Sequence, residues 1–231
     1  MTFLNRIDAG RKLAKKLEPY AKKEGVLVLG IPRSGVPVAF QVAAELGVAL
    51  DVFVVRKLGV PFHEELAFGA IASGGIRVLD AQIVESTGIS DFEIELVAAN
   101  EWQELSRRER LYRGGRAPHD LKGKTVILVD DGIATGASTL AAITALREMK
   151  PAAIVLAAPV APASTCRRLR PEVDDLICLD TPEPFHAIGE FYEDFSQVSD
   201  EQVTNLVRLN NQERCHEDNA KRRSTRKGVH T

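Results

Sequence analysis

Short, continuous apolar runs alternate with longer amphipathic stretches along most of this chain. VLVLG (26–30), DVFVVRKL (51–58), KTVILVD (124–130), AAIVLAAPV (152–160) and DDLICLD (174–180) have the length and aliphatic content of strands buried on both faces. Helical spacing separates them. Leu4, Ile7, Leu13 and Leu17 mark an amphipathic first helix that closes near Gly25, VAFQVAAEL (38–46) predicts a second, and STLAAITALREM (138–149) lies between two strands. DFEIELVAANEWQELSRRERLYRGGR (91–116) is a long helical pattern ended by a glycine pair, while AFGAIAS and GGIRVLD (67–80) alternate around two glycines and predict a hairpin added to the main sheet. Strand and helix in alternation predict an α/β fold whose open sheet is mostly parallel and flanked by helices. No internal repeat is visible.

The pattern ends with SDEQVTNLVRLN (199–210). After it, NQERCHEDNAKRRSTRKGVHT has almost no aliphatic residue and carries Lys221, Arg222, Arg223, Arg226 and Lys227. Residues 1–210 therefore read as one domain and 211–231 as a disordered basic tail. Composition adds limits. With 231 residues, 45% hydrophobic, the chain can bury a substantial core, and a net charge of -2 offers no whole-chain attraction to nucleic acid or anionic membranes. Cys166, Cys178 and Cys215 are odd in number and lack a CxxC spacing, so they predict neither a disulfide framework nor a zinc site. No stretch approaches the ~20 apolar residues of a membrane span, and the charged N-terminal segment lacks a leader's apolar core. A cytoplasmic location is the expectation.

The chemistry concentrates in TVILVDDGIATGAST (125–139). If 125–129 is a buried strand, Asp130 and Asp131 emerge at its carboxyl end, the edge at which open α/β sheets bind ligands. Gly132 and Gly136 then loosen the backbone, and Thr135, Ser138 and Thr139 bring hydroxyls to the start of the next helix, whose free amides suit a phosphate. Two carboxylates cannot themselves hold a phosphate. They suit sugar hydroxyls or a magnesium ion, so the string describes a site for a sugar phosphate.

This string resembles the signature of type I phosphoribosyltransferases, and other blocks extend the resemblance over about residues 5–207: RKLGVPFHEELAFGAIASGG, RRERLYRGGR and TPEPFHAIGEFYEDFSQ. They are most similar to an uncharacterised subgroup of phosphoribosyltransferase-domain proteins, from whose habit Asp80 (for Asn) and Phe191 (for Trp) depart. The resemblance implies a transferase that uses phosphoribosyl pyrophosphate and magnesium to place a phosphoribosyl group on a purine or pyrimidine base. It implies that Asp130 and Asp131 contact the ribose hydroxyls, that Ala134, Thr135, Gly136, Ala137, Ser138 and Thr139 receive the 5′-phosphate, and that magnesium is held mainly through the substrate with Asp130 or Asp131 beside it.

GIPRSGVP (30–37) has the glycine spacing of a Walker loop, but Val36 and Pro37 stand where Lys and Ser/Thr are required. In the resembling family this turn is the pyrophosphate loop, with Arg33, Ser34 and Gly35 as donors, and Arg56 and Lys57 form a basic pair directed at the leaving group. A cover that excludes water is expected, and GVPFHEELAFGAIASGG (59–75), with His63 and Glu64 near its tip, is the candidate antiparallel lid. The small hood over the base falls at about 181–198, where Phe185 and Tyr192 are candidates to stack on it. The helix at about 91–113 is an insertion whose arginines 107, 108, 110, 113 and 116 read as a solvated ridge; a homodimer stays open. The alternative from another class is a non-catalytic sensor of phosphoribosyl pyrophosphate that binds nucleic acid or a protein partner.

Overall fold

In a computed structural model the described residues are 2–212. The first helix, α1 (Arg6–Lys16), starts where Asn5 accepts the backbone N–H groups of Ile7 and Asp8. Strand β1 (Val26–Gly30) and helix α2 (Gly35–Leu46) follow, then β2 (Ala49–Val52), β3 (Val55–Val60), β4 (His63–Ala72) and β5 (Ile76–Leu79). Two helices come next: α3 (Ala81–Thr87), capped by Asp80, and α4 (Asp91–Arg113), opened by a reciprocal Ser90–Glu93 capping box and closed by Gly114. The remaining elements are β6 (Thr125–Val129), α5 (Ala137–Glu148), β7 (Ala153–Val160), α6 (Ala163–Leu169), β8 (Asp175–Asp180) and helical residues 200–212, here α7.

Five strands form a wholly parallel sheet in the order β2-β1-β6-β7-β8. Val28, Ile127, Val129 and Val155 send their side chains to the face covered by α1, α2, α4 and α7. Leu27, Leu29, Val126, Leu128 and Leu156 alternate with them and pack against α5 and α6. Because β1 connects outward to β2 through α2 while β6 returns on its other side, the order reverses between β1 and β6. That switch point opens a crevice at the carboxyl ends of these two strands.

Several expectations are corrected by how the elements pair. The apolar run 51–58 is split: after Val52 the chain leaves the parallel sheet, and Val54 bonds instead to Ser73 through paired backbone and hydroxyl contacts. A β-branched run records burial, not which neighbour supplies its hydrogen bonds. The hairpin is likewise not added to the main sheet, since β3, β4 and β5 form a separate antiparallel sheet. Leu4 lies before α1 and, like Ile7 within it, is exposed, and the helix's buried face runs through Arg6, Ala9, Gly10, Leu13 and Ala14. Among the arginines assigned to a solvated ridge, Arg113 is buried and bonds both carboxylate oxygens of Asp51 at 3.0 and 3.1 Å, with Glu109 at 2.6 Å. Residues 211 and 212 continue α7, and the rest of the basic tail, 213–231, lies outside the described residues.

Candidate functional site

Two loops meet in the crevice. The β1–α2 turn carries Arg33, Ser34 and Gly35, and the β6–α5 turn carries Asp130 through Gly136. Gly35 is buried against the second loop: a Cβ there would lie 2.8 Å from Asp130 Oδ1, 2.9 Å from Asp130 Cα and 2.9 Å from the Val129 carbonyl oxygen. Only a residue without a side chain lets the turns approach this closely. Arg33 and Ser34 are half-buried, the Ser34 hydroxyl makes no capping bond to α2, and the Pro32–Arg33 peptide is cis. Arg33 also lies near enough to Tyr112 to act on it electrostatically, which brings the end of α4 to this edge.

The two aspartates have different surroundings. Asp130 Oδ1 accepts the N–H of Asp131 at 2.9 Å, and the carboxyl is pushed well above the ordinary carboxylate range, first by burial and then by the charge of Asp131. Asp131 is also raised by burial, against the pull of Arg6. Arg6 Nε donates to Asp131 Oδ2 at 2.9 Å, the side chains being 8% and 6% exposed, and Arg6 Nη1 donates to the Ser196 carbonyl at 2.8 Å. The guanidinium lies 4.0 Å from the centre of the Phe195 ring, a cation–π contact. Tyr192 completes the clamp by donating its hydroxyl hydrogen to the Asp131 carbonyl oxygen at 2.5 Å. Sequence reasoning missed Arg6. A charge at a position in step with Ala9 and Leu13 on the apolar face was the available signal.

The β6–α5 loop is held from behind. Thr165 Oγ1 donates to the Ala134 carbonyl at 2.7 Å and Arg168 donates to that of Thr135. Gly136, in the left-handed region at φ 69°, leads into α5 with no side-chain cap. The first-turn amides of α5, from Ala137 through Thr139, have no intrahelical acceptor and remain available to an anion. Thr135 and Ser138 are exposed beside them, whereas Thr139 is buried on the helix's inner face.

The two side chains of the basic pair face different ways. Adjacent residues of a strand point to opposite faces. Arg56 turns toward α4, where its Nε meets Glu101 Oε2 at 2.5 Å. Lys57 is exposed on the other side and lines a cavity of about 520 Å³ between the antiparallel sheet and α5, together with Ala137 and Arg168. The proposed lid segment is the β3–β4 hairpin, with Phe62 97% exposed at its tip and His63 and Glu64 exposed just beyond. Tyr192 is buried between Phe3 and Phe195, so its ring is not presented to a base; that expectation is corrected to a role in fixing Asp131. Phe185 is half-buried and stacked on Phe191. The aromatic spacing identified the segment without distinguishing an anchor from a free face.

Among the described residues, no three His, Cys, Asp or Glu side chains converge as a metal cage, and no helix is long and apolar enough to cross a membrane. Two carboxylates, one already engaged by Arg6, fit a hard cation that takes most of its oxygens from a bound substrate.

Comparison with known proteins adds three findings. The sequence model of the phosphoribosyl transferase domain matches residues 3–195. A Mycobacterium tuberculosis protein provisionally named a phosphoribosyl transferase, found under the same description in two strains, is 44% identical over 216 residues, 94% of this chain and 47% of the relative. The chain thus spans about half the length of the curated relatives it matches. The crystal structure of TT1426 from Thermus thermophilus is 40% identical, with 90% of this chain and 98% of that one covered and a TM-score of 0.80.

Proposed function

The chain belongs to the phosphoribosyl transferase domain family, and on that premise we propose that it transfers a phosphoribosyl group from phosphoribosyl pyrophosphate to the ring nitrogen of a purine or pyrimidine base. The observation that carries this reading is the junction of the two loops, where buried Gly35 brings the Arg33–Ser34 turn against Asp130 while the uncapped start of α5 lies beyond it. One ligand spanning these elements needs an anionic group at each end and hydroxyls in the middle.

In this reading the α5 amides with Thr135 and Ser138 bind the 5′-phosphate, and Asp130 accepts hydrogens from the ribose hydroxyls. Asp131, held by Arg6 and Tyr192, orients that carboxylate pair. Arg33 and Ser34 face the pyrophosphate, with Lys57 contributed from the lid sheet; Arg56 belongs to the Glu101 pair. Transfer breaks the bond from the anomeric carbon to pyrophosphate oxygen, whose electrons leave with pyrophosphate, and forms a bond from that carbon to the base nitrogen. The protein supplies no nucleophile, so preorganised donors and excluded water carry the acceleration. Magnesium, when bound, would neutralise charge on the pyrophosphate and ribose oxygens beside Asp130.

Incubation with phosphoribosyl pyrophosphate, magnesium and a panel of bases, with pyrophosphate release as the signal, tests this. Base-dependent release that disappears in Asp130→Asn is the expected result. Calorimetric binding without turnover on any base would replace the enzyme by the sensor, and no binding up to millimolar ligand would remove both.

A further inference from the structure

The function proposed above makes no use of the cavity between the antiparallel sheet and α5, Lys57 and Ala137 apart. At about 520 Å³ it falls within the ~300–1,000 Å³ typical of pockets that enclose small organic ligands. Its α5 wall is Ala137, Leu140, Ala141 and Thr144, the i, i+3, i+4 and i+7 positions of one helical face, so it runs from the start of α5 along the helix. Ala70 of β4 and Val78 of β5 belong to the facing wall. None of Arg33, Ser34, Asp130 or Asp131 lines it, which sets it apart from the crevice.

Three charged groups border this otherwise apolar space. Lys57, exposed on β3, makes no ion pair among the described residues. Arg168 reaches it from α6 while donating to the Thr135 carbonyl. Asp80 is already engaged, since its Oδ1 accepts the N–H groups of Gln82 and Ile83 at 3.0 and 3.2 Å. Two cations against one carboxylate leave a single positive charge that apolar walls cannot balance. A ligand that completes the site carries one negative charge on an apolar body. At neutral pH that describes a carboxylate, whereas a phosphate monoester is close to dianionic and would leave charge in excess. Asp80 stands where the resembling subgroup tends to have Asn, so the single charge belongs to this chain's own sequence.

We propose that this cavity is a binding site for a compact apolar monocarboxylate, a planar ring system with one carboxylate, and that its occupancy loosens the β6–α5 loop. The carboxylate accepts hydrogen bonds from Lys57 and Arg168, and the rings lie against the Leu140–Ala141 face. Arg168 is the link. Its guanidinium bonds the Thr135 carbonyl and stands 3.1 Å from where a Cβ on Gly136 would be, so a carboxylate that draws on it draws on the loop's support. Lys57 is withdrawn from the pyrophosphate at the same time. The ligand therefore acts against phosphoribosyl pyrophosphate, a consequence that rests on the function proposed above.

Calorimetry on the full chain with 2-naphthoate, 2-naphthylmethanol and acetate tests the site. 2-Naphthoate should bind once per chain, about tenfold more tightly than 2-naphthylmethanol, which lacks the charge, or acetate, which lacks the rings. Ala141→Phe, which fills the cavity from the α5 side, should abolish this binding. Asp80→Asn keeps a capping side chain for α3, so it remains informative if the phenylalanine variant fails to fold, and it should tighten 2-naphthoate about two- to fivefold. No saturable binding up to millimolar 2-naphthoate, equal binding of 2-naphthylmethanol, retention in Ala141→Phe, or unchanged or weaker binding in Asp80→Asn would overturn the proposal. Saturating 2-naphthoate should weaken the binding of phosphoribosyl pyrophosphate with magnesium about tenfold, and the reverse by the same factor. Unchanged affinity would refute the coupling. Absence of phosphoribosyl pyrophosphate binding without 2-naphthoate would fault the functional reading while leaving the 2-naphthoate titrations to judge the cavity.

Discussion

Replacing Arg6 by Met should destabilise the protein through the site rather than through the core. The guanidinium meets the Asp131 carboxylate, the Ser196 carbonyl and the Phe195 and Tyr192 rings, and both members of the ion pair are nearly excluded from water. Methionine keeps most of the packing volume and leaves Asp131 buried without its counter-charge. Breaking a buried pair from one side typically costs about 3–5 kcal/mol. Asp131 is already raised by burial and rises further without Arg6, so it can escape part of that cost by taking a proton. Each pH unit by which the solution exceeds its new pKa then costs ~1.4 kcal/mol. We expect a loss of about 3 kcal/mol near pH 7.5, shrinking to ~1 kcal/mol near pH 5. Urea denaturation at the two pH values measures it, and the neutral-pH loss should appear as a Tm lower by about 6–12 °C. In a double-mutant cycle with Asp131→Asn, the pair should couple by ~2 kcal/mol. A loss below ~1 kcal/mol near neutral pH, or one that grows on acidification, would show that Arg6 does not hold Asp131.

Three further outcomes follow from the same geometry. The folded pKa of Asp130 lies above its unfolded value, so its contribution to stability is fully present below the unfolded pKa and is lost as pH rises through the folded one. Asp130→Asn should therefore raise Tm near neutral pH and abolish turnover, with the thermal gain vanishing below about pH 4; a pH-independent gain would contradict this. Gly35→Ala puts a methyl group against two backbone atoms and a carboxylate oxygen, and should cost about 2 kcal/mol in denaturation while weakening phosphoribosyl pyrophosphate binding, whereas wild-type affinity would mean that the turns do not need this approach. Arg113→Met strands Asp51 and should cost about 3–5 kcal/mol by urea denaturation; a loss within ~0.5 kcal/mol would class Arg113 with the exposed arginines of α4.

Much of this was legible before the fold. The apolar runs at 26–30, 124–130, 152–160 and 174–180 became β1, β6, β7 and β8 within a residue at each end, because a strand covered on both faces must be apolar throughout. The capped helix at 91–113 and the position of Asp130 and Asp131 at a strand's carboxyl end were equally local matters. What stayed hidden depends on partners distant in sequence. Nothing near residue 56 says that Arg56 will meet Glu101 while Lys57 faces α5, and nothing near 192 says that a tyrosine hydroxyl will reach the Asp131 carbonyl.

By itself the sequence determined the alternation of strand and helix, the loop chemistry and the family resemblance, since all three reside in spacing and residue type along a single stretch. Tertiary structure decided which charges are spent on each other and that the antiparallel strands form their own sheet. The reason is physical. Periodicity states how much of a side chain is buried, but the partner that compensates a buried charge is chosen by the packing of elements across the whole sheet.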